Sequence, residues 1–242
     1  MIKETEYEDV EKFGEITKGE VGRSMMKVYD EKGNMIEENW YNSAGSLNSK
    51  DIYKYNERGN MIEKSYYSFV DNFNYKSLYK YDEKGNRIED NMYNSDGDLC
   101  YKTIYKYDEK GNMIEVNEYS FDGSLQYKNL YKYDEKGNMI EDSRYNSVGS
   151  LSSKDIYKYN EKGNKIEGNI YNSSGNLNCK WIYKYDEKEN IIEENSYNSS
   201  GSLIEANKCE YKFDKKDNWI KKIEYRNNHP ETITEREIEY YK

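Results

Sequence analysis

The sequence predicts an all-β protein: tandem 26-residue β-hairpin repeats forming one long antiparallel sheet, twisted or spiralling. Three observations predict it. Tyr followed by Asp or Asn returns every 26 residues, at Tyr29, Tyr55, Tyr81, Tyr107, Tyr133, Tyr159 and Tyr185, the mark of a repeat array. Two turn signals fall in each period. The segments between them are filled with Tyr, Ile, Leu and Trp, and Pro230 is the only proline in 242 residues, which is strand composition.

Between Asn34 and Gly59 the unit reads NMIEENWYNSAGSLNSKDIYKYNERG. Its turns are Asn42-Ser43-Ala44-Gly45 and Asn56-Glu57-Arg58-Gly59, each with Asn or Asp at the first position and Gly at the fourth. That is the type I signature, with Gly supplying the left-handed residue of a bulged hairpin. Removing the turns leaves two strands of about nine residues each, so every repeat is one hairpin.

In chain order this gives a single repeat domain over residues 1–242: a degenerate N-terminal cap at 1–28, about seven hairpin repeats at 29–212, and a C-terminal repeat and cap at 213–242. Gly19 and Val21 fall in register with Gly45 and Leu47, while Met1 to Lys18 lose the pattern. Terminal repeats of an array are atypical because they cap it. Phe213-Asp214 is an eighth turn motif, displaced by two residues inserted after Leu203. From Ile233 to Tyr240 charges alternate through Glu235, Arg236, Glu237 and Glu239, as on an edge strand guarded against pairing.

Composition is polar, with 35% charged residues and a mean hydropathy of -1.25. Such polarity suggests disorder. Against it, 37 basic and 47 acidic side chains nearly cancel, and 29 tyrosines bring the aromatic content to 15%. The expectation is a folded chain with a thin core of Tyr, Ile and Leu stripes, covered by lysine stems.

Charge chooses between a parallel solenoid and a meander of hairpins. Glu37 recurs at Glu63, Glu89, Glu115, Glu141, Glu167 and Glu193, and Lys54 recurs at Lys80, Lys106, Lys132, Lys158 and Lys184. A solenoid would stack like charges at roughly 4.8 Å, whereas a meander holds them about 9.6 Å apart with another strand between. The meander is favoured. Counting out from the turns places Tyr41 opposite Leu47, Glu38 opposite Lys50, Ile36 opposite Ile52, Tyr53 opposite Glu63 and Lys54 opposite Ile62. One face would then carry Tyr41, Leu47, Tyr53, Tyr55 and Glu37, and the other Ile36, Ile52, Lys50 and Lys54.

The run Tyr53-Lys54-Tyr55-Asn56-Glu57-Arg58-Gly59-Asn60-Met61-Ile62 resembles the YD repeat of the RHS family, and the match recurs over most of the chain. The resemblance implies long hairpin sheets that spiral into shells or display surfaces, and so architecture more than activity. This chain departs from the pattern at Glu189 and Asp217, which replace the second-turn Gly, at Asp71, which replaces the first-turn Gly, and at Phe213. Those turns should be strained. The stretch Tyr93-Asn94-Ser95-Asp96-Gly97-Asp98-Leu99 is also similar to part of the choline-binding and clostridial cell-wall repeats, which hold ligands on aromatic hairpins, but lacks their recurring Trp and second Gly.

No motif names a reaction, so the expectation is a chain without catalysis, cofactor or metal. His229, the only histidine, precedes Pro230 and reads as a loop residue without the partners a triad or metal site needs. The Glu37 column repeats too often to be a glycosidase acid pair. The Asp-Glu-Lys-Gly-Asn turns carry a Lys and too few oxygen ligands for calcium. Cys100, Cys179 and Cys209 are odd in number and differently placed, which argues against a disulfide framework. A net charge of -10 and a pI near 5.0 argue against nucleic acid as partner. No apolar run predicts membrane insertion. The default location is cytoplasmic, or the cell surface or exterior should Met1 replace a removed leader.

Specificity in an array resides where repeats differ. Ser49 becomes Tyr75, Tyr101 and Tyr127 in three successive repeats, then Ser153 and Cys179. In the register above, Tyr75 faces Tyr93, Tyr101 faces Tyr119 and Tyr127 faces Tyr145, a continuous aromatic patch suited to protein hot spots or to stacking on sugars. The alternative is cross-strand pairing that only stiffens the sheet. Two functions follow: a non-enzymatic scaffold that binds a protein or displays a surface, or a carbohydrate or cell-wall binding module using tyrosine ladders.

Overall fold

Turn chemistry comes first. In the computed structural model, Asn42 N–H donates to Ser46 O and Gly45 N–H to Asn42 O, both at 2.9 Å, while Asn42 Oδ1 accepts the Ser46 N–H. Asn56 does the same in the second turn, accepting from the N–H groups of Arg58 and Asn60. Gly45 and Gly59 sit at φ 78° and 82°, the left-handed residue of the bulged hairpin. Where Asp opens the turn, the Asn after the Gly donates back to its carboxylate, as Asn34 does to Asp30 and Asn86 to Asp82 at 2.9 Å. The tyrosine before the turn has its own task. Tyr55, Tyr81, Tyr107, Tyr159 and Tyr185 each donate a hydroxyl to the carbonyl twenty residues back, on the preceding strand.

The structure describes residues 2–12, 15–71 and 73–238, with side chains from residue 23 onward. It is all-β and antiparallel, without a helix among the described residues, and falls into two units, Met1–Gln126 and Tyr127–Lys242. The first holds β1 (Ile2–Lys12), β2 (Glu15–Tyr29), β3 (Met35–Tyr41), β4 (Leu47–Tyr55), β5 (Met61–Ser68), β6 (Asn74–Tyr81), β7 (Arg87–Asn94), β8 (Leu99–Tyr107) and β9 (Met113–Ser120). The second unit begins within β10 (Leu125–Tyr133) and continues through β11 (Met139–Asn146), β12 (Leu151–Tyr159), β13 (Lys165–Asn172) and β14 (Leu177–Tyr185). Then follow β15 (Ile191–Asn198), β16 (Leu203–Phe213), β17 (Trp219–Arg226) and β18 (His229–Glu235). Within each unit, strands pair with their neighbours in sequence.

The ends differ from expectation. β2 runs through Gly19 instead of turning there. β18 starts earlier than the predicted edge segment, after a turn in which Asn227 and Asn228 take φ 50° and 68°; residues 239–242, with the end of that segment, lie outside the described residues. His229 is therefore a strand residue opposite Arg226, and exposed. The insertion after Leu203 lengthens β16: toward β15, Glu193 still faces position 208 as Glu37 faces position 52, while toward β17 the register moves on by the two inserted residues, Lys212 facing Lys221 as Lys54 faces Glu63. Tyr211 then takes over the hydroxyl bond, reaching Ile191 O at 3.2 Å.

Register corrects the expected faces. Tyr41 does face Leu47, but a bulge follows, so Glu38 faces Asp51, Asn39 faces Lys50 and Glu37 faces Ile52. A second bulge at Lys54 and Tyr55 skips Ile62, so Lys54 faces Glu63 and Tyr53 faces Lys64. Each bulge places an extra residue on one strand and exchanges the faces beyond it. Glu37, Lys50, Ile52 and Lys54 thus share one face, while Tyr53 lies on the other.

The expected apolar core reduces to Tyr53 and Val116, and no described side chain is fully buried. Burial falls instead on short polar residues at mid-strand, among them Asn39, Ser65, Thr103, Ser143 and Ser196. With strands touching only their sequence neighbours among the described contacts, a side chain is covered only if it is short and its neighbours are long. Tyr rings and Lys stems are those neighbours.

Candidate interaction surface

In each unit one face is a ladder of ion pairs. Glu63 lies 2.8 Å from Lys54 on the strand before it and 3.1 Å from Lys76 on the strand after. Glu89 is held likewise by Lys80 and Lys102, Glu141 by Lys132 and Lys154, and Glu167 by Lys158 and Lys180. A neighbouring amide adds a third bond at Asn91 to Glu89 and Asn169 to Glu167, each 2.7 Å. At Glu167 the Asn169 bond outweighs burial and, with both lysines, holds the carboxyl down at about 2. Burial opposes the same effect at Glu89, but Lys80, Asn91 and Lys102 overcome it, also to about 2. With every acid compensated, the column is a structural strut rather than a pair of free acids.

The opposite face carries the variable aromatics. Tyr75 pairs directly with Tyr66, ring centroids 5.0 Å apart and stacked, and Phe73 lies 6.0 Å away. Across β7, Met92 faces Tyr101. Tyr66, Tyr75, Met92 and Tyr101 thus share this face of the first unit, with Tyr75 half-buried and Tyr101 37% exposed. In the second unit Tyr127 faces Asn146 and is 38% exposed.

The expected tyrosine pairs are not formed. Tyr75 faces Asn94, Tyr101 faces Ser120 and Tyr127 faces Asn146, while Tyr93, Tyr119 and Tyr145 face Lys76, Lys102 and Lys128 on the ladder face. The bulges move each predicted partner one residue along, and one residue in a strand is the other side of the sheet. Tyr66, Phe73 and Met92 were not foreseen as contact residues. Phe73 carried a signal, since it stands at the Leu47 position of the repeat.

Carboxylates punctuate this second face. Asp90 accepts from Tyr105 Oη at 2.7 Å and pairs with Arg87, whose guanidinium lies over the Tyr79 and Tyr105 rings at 4.8 and 5.5 Å. Burial pushes the Asp90 carboxyl up despite those partners. Lys64 approaches Asp51 Oδ1 to 3.0 Å as an ion pair. Asp142 and Asp155 share Arg144, at 3.0 and 3.2 Å. Among the described residues no group of three or more His, Cys, Asp or Glu could hold a metal ion, and Cys100, Cys179 and Cys209 are free thiols.

No family model matches the chain, and no curated protein matches it in sequence. Among solved structures it is similar to a chain of the TcdB2-TccC3-Cdc42 complex, with 13% identity, a TM-score of 0.48 and coverage of 84% of this chain. It is also similar to a porin-like protein from Bacteroides uniformis, at 8% identity and a TM-score of 0.41, over 84% of this chain and 88% of that one. The chain spans 13% of the length of the toxin-complex chain.

Proposed function

We propose that this chain is a non-enzymatic repeat scaffold of the YD type that binds a protein through the aromatic face of its hairpins. The carrying observation is the stripe of Tyr66, Tyr75, Met92 and Tyr101 on one face of the first unit, open at Tyr101. Tyrosine and methionine anchor protein interfaces because they offer large contact area with few torsions to freeze. The other face spends its charged groups on one another, which leaves the aromatic face as the variable surface. The partner is a protein with an apolar, hydrogen-bonding patch.

Crosslinking and pull-down with the whole chain test this reading. Partner capture should fall when Tyr101 and Tyr127 are changed to alanine and persist when Tyr119, on the ladder face, is changed. Capture unaltered by Tyr101→Ala and Tyr127→Ala together would overturn it.

A further inference from the structure

The hairpin of β5 and β6 breaks the repeat. Elsewhere the tyrosine before the first turn is covered by the leucine after it: Tyr41 faces Leu47, Tyr93 faces Leu99, Tyr145 faces Leu151 and Tyr171 faces Leu177. Asp71 occupies the place of the turn glycine, and the pairing beside the turn changes. Ser68 N–H donates to Phe73 O at 3.0 Å, the usual bulge is absent, and Asn74 takes the position opposite Tyr67. Phe73, which stands where the leucine should be, is left 55% exposed. Tyr67 is in consequence 38% exposed, whereas the other tyrosines of its column are half-buried.

The missing leucine leaves a cleft. It measures about 630 Å³ and is lined from the ladder face by Tyr67, Tyr93, Asn74, Lys76 and Glu63, with Tyr75 and Asn94, which pair on the opposite face, also in its lining. The two rings stand two strands apart, about 9.6 Å. Between and beside them are amide donors and acceptors, and ammonium groups held in place by Glu63 at 2.8 and 3.1 Å. An apolar protein anchor would have little to fill here and would strip water from the Lys54–Glu63–Lys76 set. A ring that offers a C–H face to tyrosine and hydroxyls to amides and ammonium groups matches both kinds of lining.

We infer that this cleft is a binding site for a short saccharide, distinct from the aromatic face proposed for a protein. Tyr67 and Tyr93 stack on successive sugar rings, Asn74 bonds their hydroxyls, and Lys76 donates to a ring or glycosidic oxygen. The site goes beyond the scaffold reading, because Tyr67, Tyr93, Asn74 and Lys76 lie on the other face; of the aromatic stripe Tyr75 alone also lines it.

An array of neutral and uronate-containing glycans, followed by titration calorimetry with the best-bound oligosaccharide, tests it on the full chain. Tyr67→Ala and Tyr93→Ala should each weaken binding about tenfold or more. Asn74→Leu places on Tyr67 the cover that Leu47 gives Tyr41, and should abolish binding while the melting temperature holds or rises. Tyr41→Ala, in the same column but away from the cleft, should leave affinity unchanged. An array without hits, or binding that survives Asn74→Leu in a folded protein, would overturn the proposal.

Discussion

Asp142 and Asp155 stand directly opposite each other on β11 and β12, two buried carboxylates that share the Arg144 guanidinium, with the Tyr157 hydroxyl also donating to Asp155 at 3.3 Å. An Oδ1 of each has no hydrogen-bond partner. Burial pushes the Asp155 carboxyl up; Arg144 offsets part of that, and the Asp142 charge adds to the rise. Like charges directly opposed destabilise a sheet. Asp155→Asn should therefore raise stability by about 0.5–1 kcal/mol near neutral pH. With the folded pKa raised above the unfolded 3.8, the penalty is full above the folded value, fades between the two and is absent below 3.8, so the gain should fade as pH falls toward 3.8. Thermal melts of both proteins across that range check the sign.

The ladder titrates the other way. Glu89 and Glu167 are held at about 2 against an ordinary 4.5. Their stabilisation is present above 4.5 and lost as pH falls from there toward 2. Melting temperature followed by circular dichroism should decline across that window, and Glu167→Gln should soften the decline while costing about 0.5–1 kcal/mol at neutral pH, modest because the lysine ends are solvated.

Tyr81 donates its hydroxyl to Met61 O at 2.6 Å. Removing that one oxygen with Tyr81→Phe leaves the ring and orphans a carbonyl, for an expected loss of about 1 kcal/mol in denaturant unfolding. An unchanged midpoint would mean that water replaces the hydroxyl without cost.

Glu189 occupies the left-handed turn position at φ 67°. Gly takes that conformation freely, while a side chain there costs about 1 kcal/mol, partly regained from the stiffer unfolded chain. Glu189→Gly should stabilise by roughly 0.5 kcal/mol, after allowing for the loss of the exposed ion pair with Lys162 at 3.5 Å. Differential scanning calorimetry would record it as a small rise in melting temperature.

The sequence by itself determined the repeat, the hairpins and their turns, because Asn42, Gly45, Asn56 and Gly59 act through bonds only a few residues long. It also determined that alike charges lie two strands apart, since period and turn spacing decide that. Which face each residue occupies was decided only in the folded sheet. Bulges at Lys80 and Tyr81, Lys106 and Tyr107, and Lys132 and Tyr133 each insert a single residue, too small a change to mark the 26-residue period, yet they send Tyr93, Tyr119 and Tyr145 to the side opposite Tyr75, Tyr101 and Tyr127. The cleft beside Tyr67 was likewise invisible in the chain. Asp71 marked a turn that departs from the repeat, but only the pairing of Asn74 with Tyr67 shows that the register shifts there and which ring the shift uncovers. Local hydrogen bonding is written residue by residue, whereas face and exposure depend on where each strand slips against the next.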